Sequence, residues 1–154
     1  MSGAGTETGA GAAGPETTEP AEAGAAVETA AVGPFFERYA EAFVAYDAAA
    51  IAACYVTPCL FVRDGRTTAL DTAEAVVESV EALLALHRAW DVQKVEPDEV
   101  AVLEDGPAHA VVRVDWKLGR PRTRLRWLFA TTYTLVPAGG GWRVAVAVTH
   151  DAPF

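Results

Sequence analysis

The chain has 154 residues, 51% of them hydrophobic, with 21 acidic against 12 basic residues and a formal net charge of −9. That length supports one ordinary domain with its own core, and the acidity provides no field to gather phosphate backbones, so nucleic acid is not an expected partner. Cys54 and Cys59 make no disulfide framework, no basic-then-apolar leader opens the chain, and no uncharged apolar run reaches the ~18 residues of a membrane span, so a reducing, cytoplasmic setting without membrane contact is expected.

Residues 1 to 32 contain only Gly, Ala, Thr, Glu, Pro, Ser, Val and the initiator Met. Such a segment cannot offset its ordering entropy by burial and is expected to be a disordered tail. Gly9-Ala10-Gly11-Ala12-Ala13-Gly14 fits the G-x-G-x-x-G dinucleotide fingerprint by letter. Neither flank can form the strand and helix that fingerprint requires, so no nucleotide cofactor is expected. With five Glu in the tail, the remaining residues carry 16 acids against 12 bases, a net of about −4.

The folded domain is expected over 33–154. Pro34 suits a first helical turn, and Phe35, Phe36, Tyr39, Phe43 and Tyr46 follow at helical spacing until Asp47. A short helix from Ala48 to about Tyr55 is stopped by Thr57-Pro58. Cys59 to Arg63 reads as a strand closing on the Asp64-Gly65 turn. Asp71 and Glu74 have capping-box spacing, and the helix they open runs to about Trp90. Its inward stripe is Val76, Val80, Leu83, His87 and Trp90, with Val77 and Leu84 beside it.

Beyond Asp91 the pattern alternates with period two, about 92–104, 108–118, 123–136 and 142–149, broken by short Gly/Pro-rich turns, which predicts a four-stranded antiparallel meander. Pairing Leu118 with Thr123 sets Asp115 against Arg126 as an ion pair. Pairing Val136 with Trp142 sets Tyr133 against Ala145. One face then holds Val112, Val114, Trp116, Leu125, Trp127, Phe129, Thr131, Tyr133, Ala145 and Ala147, the bulkier face expected to meet the helices. The other holds Arg113, Asp115, Lys117, Arg124 and Arg126 at one end. Toward the last strand it turns apolar, with Leu128, Ala130, Val144, Val146 and Val148, so its final strands are expected to bury against a second copy of the chain. A single β-bulge would swap faces downstream of it. Helices first and strands after give an α+β fold, with three N-terminal helices on a curved antiparallel sheet.

This order of elements, with "GWRV" at 141–144 opening the last strand, resembles the nuclear transport factor 2-like superfamily over about residues 33 to 151, nearest its SnoaL-like and ketosteroid isomerase-like members. The resemblance implies a cone-shaped α+β barrel of the cystatin-like kind, an apolar pocket between helices and sheet, and commonly a homodimer. It also implies a range of activities: isomerases, polyketide cyclases, dehydratases and non-catalytic binding domains. The isomerase chemistry uses a tyrosine on the first helix, an aspartate base on the first strand and a protonated aspartate on a later strand. Tyr39 falls at the first position. The base position falls on Arg63, with Asp64 one residue late and facing the other way. The later acid falls near Leu128 or Phe129, where no carboxylate stands. Steroid isomerisation is therefore not the expected activity.

The candidate catalytic residues are Tyr39, His87, His150 and Asp64. A pocket-facing imidazole at His87 suits general acid/base work, although a core role with one hydrogen-bond partner is the commoner fate of such a histidine. His150 and Asp151 are strand neighbours that point to opposite faces and form no dyad. His150 is carried as a candidate alone, because some SnoaL-like proteins have a histidine near this strand end. Tyr55, Trp90, Trp116, Trp127, Phe129 and Tyr133 are the candidate pocket walls. Ser2 and Ser79 support no nucleophile triad, the three histidines and two cysteines show no metal-ligand spacing, and Arg120, Arg122, Arg124 and Arg126 read as a solvated sheet edge. The functional expectation is a pocket for a small apolar molecule, with acid/base isomerisation, cyclisation or dehydration in reach, against a non-catalytic homodimeric ligand-binding or interaction domain.

Overall fold

The computed structural model of the chain describes residues 29–153. Of the tail expected over residues 1 to 32, residues 1–28, with the glycine fingerprint, lie outside the described residues. Thr29–Ala31 form a single 3₁₀ turn that leads into helix α1, Val32–Val44, so the domain starts a few residues before the expected boundary at Gly33. Val32 is fully buried, which explains the earlier start.

α1 buries Phe35, Phe36, Tyr39, Ala40 and Phe43 along one stripe. Pro34 sits in its first turn, where a missing N–H costs nothing. Helix α2, Ala48–Ala52, is capped by Asp47, whose carboxylate accepts from the Ala50 amide at 3.0 Å. Strand β1, Tyr55–Arg63, follows at once and is longer than the sequence suggested, because it continues through Thr57-Pro58. Proline is tolerated there because Pro58 lies where the register between β1 and β6 shifts, so no ladder hydrogen bond is lost.

Strand β2, Arg66–Leu70, was not anticipated. Asp64 and Gly65 both adopt positive φ, 52° and 75°, the geometry of a two-residue hairpin turn whose twist matches the strands it joins. Helix α3, Ala73–Ala89, begins one residue later than predicted. Its N-cap is Thr72, whose hydroxyl accepts from the Ala75 amide at 3.1 Å, and not Asp71. Strands β3 (Lys94–Asp105), β4 (Ala110–Gly119), β5 (Arg126–Ala138) and β6 (Gly141–His150) complete the chain.

The sheet has six strands in the order β2-β1-β6-β5-β4-β3, open at β2 and β3. It is mixed, since β1 runs parallel to β6. This corrects both the all-antiparallel sheet and the three N-terminal helices. Two helices are long, α2 has five residues, and α3 enters only after the first hairpin. The fold is an α+β architecture in which the helices cover one face of a curved, unclosed sheet.

Register decides which side chains reach that face. Leu118 pairs with Trp127 rather than Thr123, because residues 120–125 form a longer loop. Asp115 therefore lies opposite Ala130, and its ion-pair partner is Arg113 on the same strand, at 3.0 Å, instead of Arg126. The slip is four residues, an even number, so face assignments survive: Val112, Val114, Trp116, Phe129, Thr131 and Tyr133 point inward together. In β6 the register shifts at Ala145, between the Thr134–Val146 and Leu135–Val144 pairs. That bulge turns Val144 and Trp142 into the core, where both are buried, against their expected outward placement. Of the two alanines expected to face the aromatics, only Ala147 does so, paired with Tyr133.

Candidate functional site

A cavity of about 690 Å³ opens between α1, α3 and the inner face of the sheet, within the range of small-molecule sites. Its deep wall is aromatic and phenolic. Tyr39 comes from α1, Tyr55 from the start of β1, Trp116 from β4 and Tyr133 from β5. Helical spacing in α1 and strand alternation in β4 and β5 aim all four at the same volume.

The polar tips within this wall are paired with one another. The Tyr39 and Tyr55 hydroxyls form a buried hydrogen bond of 2.6 Å. Trp116 Nε1 donates to the Tyr133 hydroxyl at 3.0 Å. The rings of Tyr39 and Tyr133 lie edge to face at 6.0 Å, so the three phenols form one cluster. An indole N–H can only donate, so the Tyr133 oxygen is the acceptor in its bond and keeps its own proton. The Tyr39–Tyr55 bond uses one of that pair's two protons. Tyr133 also interacts by hydrogen bonding with Thr131 and Tyr39, so the hydroxyls form one connected network. Burial raises the pKa of Tyr39 and Tyr55 well above the usual phenol value, and neighbouring phenols add to the effect. Burial likewise pushes Tyr133 up to about 12. All three are neutral donors near pH 7.

His87, from the inner stripe of α3, lines the cavity and is only 4% exposed. Its ring packs on Phe43 at 5.4 Å. Desolvation lowers its pKa to about 4, so the imidazole is neutral at pH 7 and is a weak base. Phe61, Phe129, Thr131, Ala147 and Thr149 continue the lining towards the mouth. At the mouth stand Arg63, Asp64 and Arg66 from the β1–β2 turn. Arg63 Nε approaches Asp64 Oδ2 at 3.4 Å, with the Asp64 side chain 79% exposed.

Of the candidates named from sequence, Tyr39, Asp64, His87, Tyr55, Trp116, Phe129 and Tyr133 converge on this cavity. Asp64 reaches only its rim and is too hydrated to act as a buried base. His150 does not converge: it ends β6 on the outer face, exposed, with Nε2 at 3.2 Å from Thr132 Oγ1. Trp90 and Trp127 are also elsewhere. They pack edge to face at 5.4 Å and are covered by Arg120, whose Nε donates to the Trp90 carbonyl at 2.7 Å. Arg120 is thus a clamp between α3 and the β4–β5 loop, not part of a solvated edge.

Sequence reasoning missed Arg66, Phe61 and Thr149 as lining residues. Phe61 and Thr149 become legible only once β1 is known to lie parallel to β6, which pairs Phe61 with Ala147 and Arg63 with Thr149. Both cysteines are free thiols, Cys59 buried and Cys54 half-buried. Among the described residues no group of three His, Cys, Asp or Glu side chains is placed to hold a metal ion, and no helix is long and apolar enough to cross a membrane.

The family model of the NTF2-like protein family (DUF6841) matches residues 28–152. No curated protein matches the chain. Among solved structures, Aln2 from a Streptomyces species aligns with a TM-score of 0.63 at 21% identity, over 79% of this chain and 88% of that one. A protein of unknown function with a cystatin-like fold from Nostoc punctiforme aligns at 0.66 and 8% identity, over 83% and 96% of the two chains. An NTF2-like protein of unknown function from Pseudomonas putida aligns at 0.63 and 19% identity, over 83% and 90%. At these identities the likeness concerns the fold.

Proposed function

The chain belongs to the NTF2-like family (DUF6841), and on that premise we propose that it binds a small, largely apolar molecule in the cavity between its helices and sheet. The observation that carries this reading is the cluster of neutral Tyr39, Tyr55 and Tyr133 hydroxyls inside a cavity of about 690 Å³ walled by aromatic and aliphatic side chains. Apolar walls supply affinity by burial, and a few convergent hydroxyls fix orientation. The ligand accordingly carries an acceptor oxygen, a carbonyl or hydroxyl, directed at the phenols.

Acid/base isomerisation, cyclisation or dehydration is the catalytic form of the same reading. Neutral phenols aimed at a carbonyl oxygen stabilise negative charge that develops there. The interior has no carboxylate among the described residues to take a proton, and His87 is a weak base, so binding is favoured over turnover. Denaturing the purified protein and identifying any released molecule by mass spectrometry tests the reading. Tyr39→Phe and His87→Gln then separate its two forms, since lost turnover with retained affinity marks an enzyme. A protein that releases nothing and is indifferent to candidate ligands contradicts both.

We also propose a homodimer through the outer face of β1, β5 and β6. Leu128 is 65% and Leu60 38% exposed, and Val146 and Val148 lie on the same face, half-buried. Apolar side chains in that number on an exposed sheet face favour cover by a second surface of the same kind.

A further inference from the structure

The mouth of the cavity has a charge arrangement that an apolar ligand alone does not require. Arg63 and Arg66 are directly paired across the β1–β2 turn. Residues directly opposite in an antiparallel pair project from the same face with Cβ atoms about 5 Å apart, and like charges so placed repel. Both line the cavity. Among the described residues Arg66 has no ion-pair partner, and Arg63 has only the exposed Asp64 carboxylate at 3.4 Å. An exposed pair of that length is weak and easily displaced. A chain with a net charge of −9 therefore sets two cations side by side at the entrance of this apolar cavity.

We propose that the ligand is an apolar organic acid, with its carboxylate held between Arg63 and Arg66 and its hydrophobic body directed towards the tyrosines. This inference rests on the cavity being a ligand site. A carboxylate between the two guanidiniums relieves their repulsion and accepts charge-assisted hydrogen bonds in the fork geometry arginine offers. The register gives the reach required. Tyr55 pairs with Val144 and Arg63 with Thr149. Those two β6 positions lie opposite Leu135 and Thr131, four steps apart on β5, so the two ends are separated by about 13 Å of strand. A body of two or three rings, or a comparable chain, spans the apolar stretch past Phe61 and Ala147. Its far end then meets the phenolic donors, which suits an oxygen substituent there. The two polar ends are thus distinct in kind, cationic at the rim and neutral donor at the base.

The test is a calorimetric titration with two probes of equal shape and different charge, 2-naphthoate and 2-naphthamide, near pH 7. The expected result is binding of the acid about tenfold or more tightly than the amide by the unmodified protein. That preference falls to near parity in Arg63→Gln and in Arg66→Gln, and raising NaCl from about 50 to about 500 mM weakens the acid only. Arg66 is exposed on an edge strand, so its variant keeps the fold even where Arg63→Gln does not. Equal affinity for acid and amide, or an acid preference that survives in Arg66→Gln, overturns the anion site and leaves the cavity reading standing. Binding of neither probe contradicts the cavity reading, and the anion site with it.

Discussion

The hydroxyls of Tyr39 and Tyr55, from a helix and a strand sixteen residues apart in sequence, share a 2.6 Å hydrogen bond inside the protein. Neither has an alternative in water, because both side chains are buried. Tyr39→Phe leaves the Tyr55 oxygen short of a partner, and is predicted to cost about 1–3 kcal/mol. Tyr39→Phe with Tyr55→Phe removes both polar atoms, and should cost less than the sum of the single changes. Chemical denaturation of the three variants measures the coupling, and strict additivity would show the hydroxyls to be independent.

Alkaline titration follows from the same burial. The folded pKa values of Tyr39, Tyr55 and Tyr133 lie above the usual 10, so the stability they confer is complete below pH 10 and is lost as pH rises through the folded values. Phenolate absorbance should therefore stay low in the native protein and appear together with unfolding. A separate, reversible ionisation of these three near pH 10 in the folded protein would contradict their burial.

His87 acts at the opposite end of the scale. Its folded pKa of about 4 lies below the ordinary 6.5, so its contribution is present above pH 6.5 and is lost as pH falls towards 4. The loss amounts to about 3 kcal/mol at most. His87→Gln should flatten this part of the stability profile relative to the unmodified protein, measured by urea midpoints at intervals between pH 7 and pH 4. Parallel profiles for the two proteins would place the acid sensitivity elsewhere.

Arg120 lies over both the Trp90 and Trp127 rings, at 5.9 and 5.1 Å, and donates to the Trp90 carbonyl. Arg120→Ala removes a cation–π contact and a hydrogen bond while exposing two indoles, for an expected loss of about 1–2 kcal/mol and a red-shifted tryptophan emission. Arg120→Lys should recover only part of the loss, since an ammonium cannot stack as a plane.

The outer-face dimer predicts that light scattering at micromolar concentration finds twice the chain mass. Leu128→Glu, which sets a carboxylate on an exposed apolar position of that face, should return the monomer without unfolding it. A monomer before substitution would show that the face is not an interface in solution.

The sequence made the helices and the β3–β6 meander legible because their periodicities are local. The face assignments in β4 and β5 held despite a four-residue slip, since an even slip preserves the pleat. Tyr39 and His87 were legible for the same reason, as members of a helical stripe. What escaped depends on distant pairing. Arg66–Leu70 has no apolar alternation, being an exposed edge strand, and nothing local announces that β1 lies parallel to β6. The bulge at Ala145 moved Trp142 and Val144 inward, and no residue type there signals it. The cationic mouth was illegible on both counts, because Arg63 and Arg66 meet only through a strand that the pattern did not show. Trp90 and Trp127 were misplaced because an aromatic inward stripe looks the same whether it borders a cavity or fills a corner.

The central claim, that the hollow beneath the sheet takes a ligand, is tested most directly by titrating 2-naphthamide into the unmodified protein and into Ala147→Trp. Ala147 faces the cavity opposite Tyr133, and an indole there takes up part of its apolar space. Saturable binding by the first and none by a folded second is the predicted result. Equal binding by both would contradict the account.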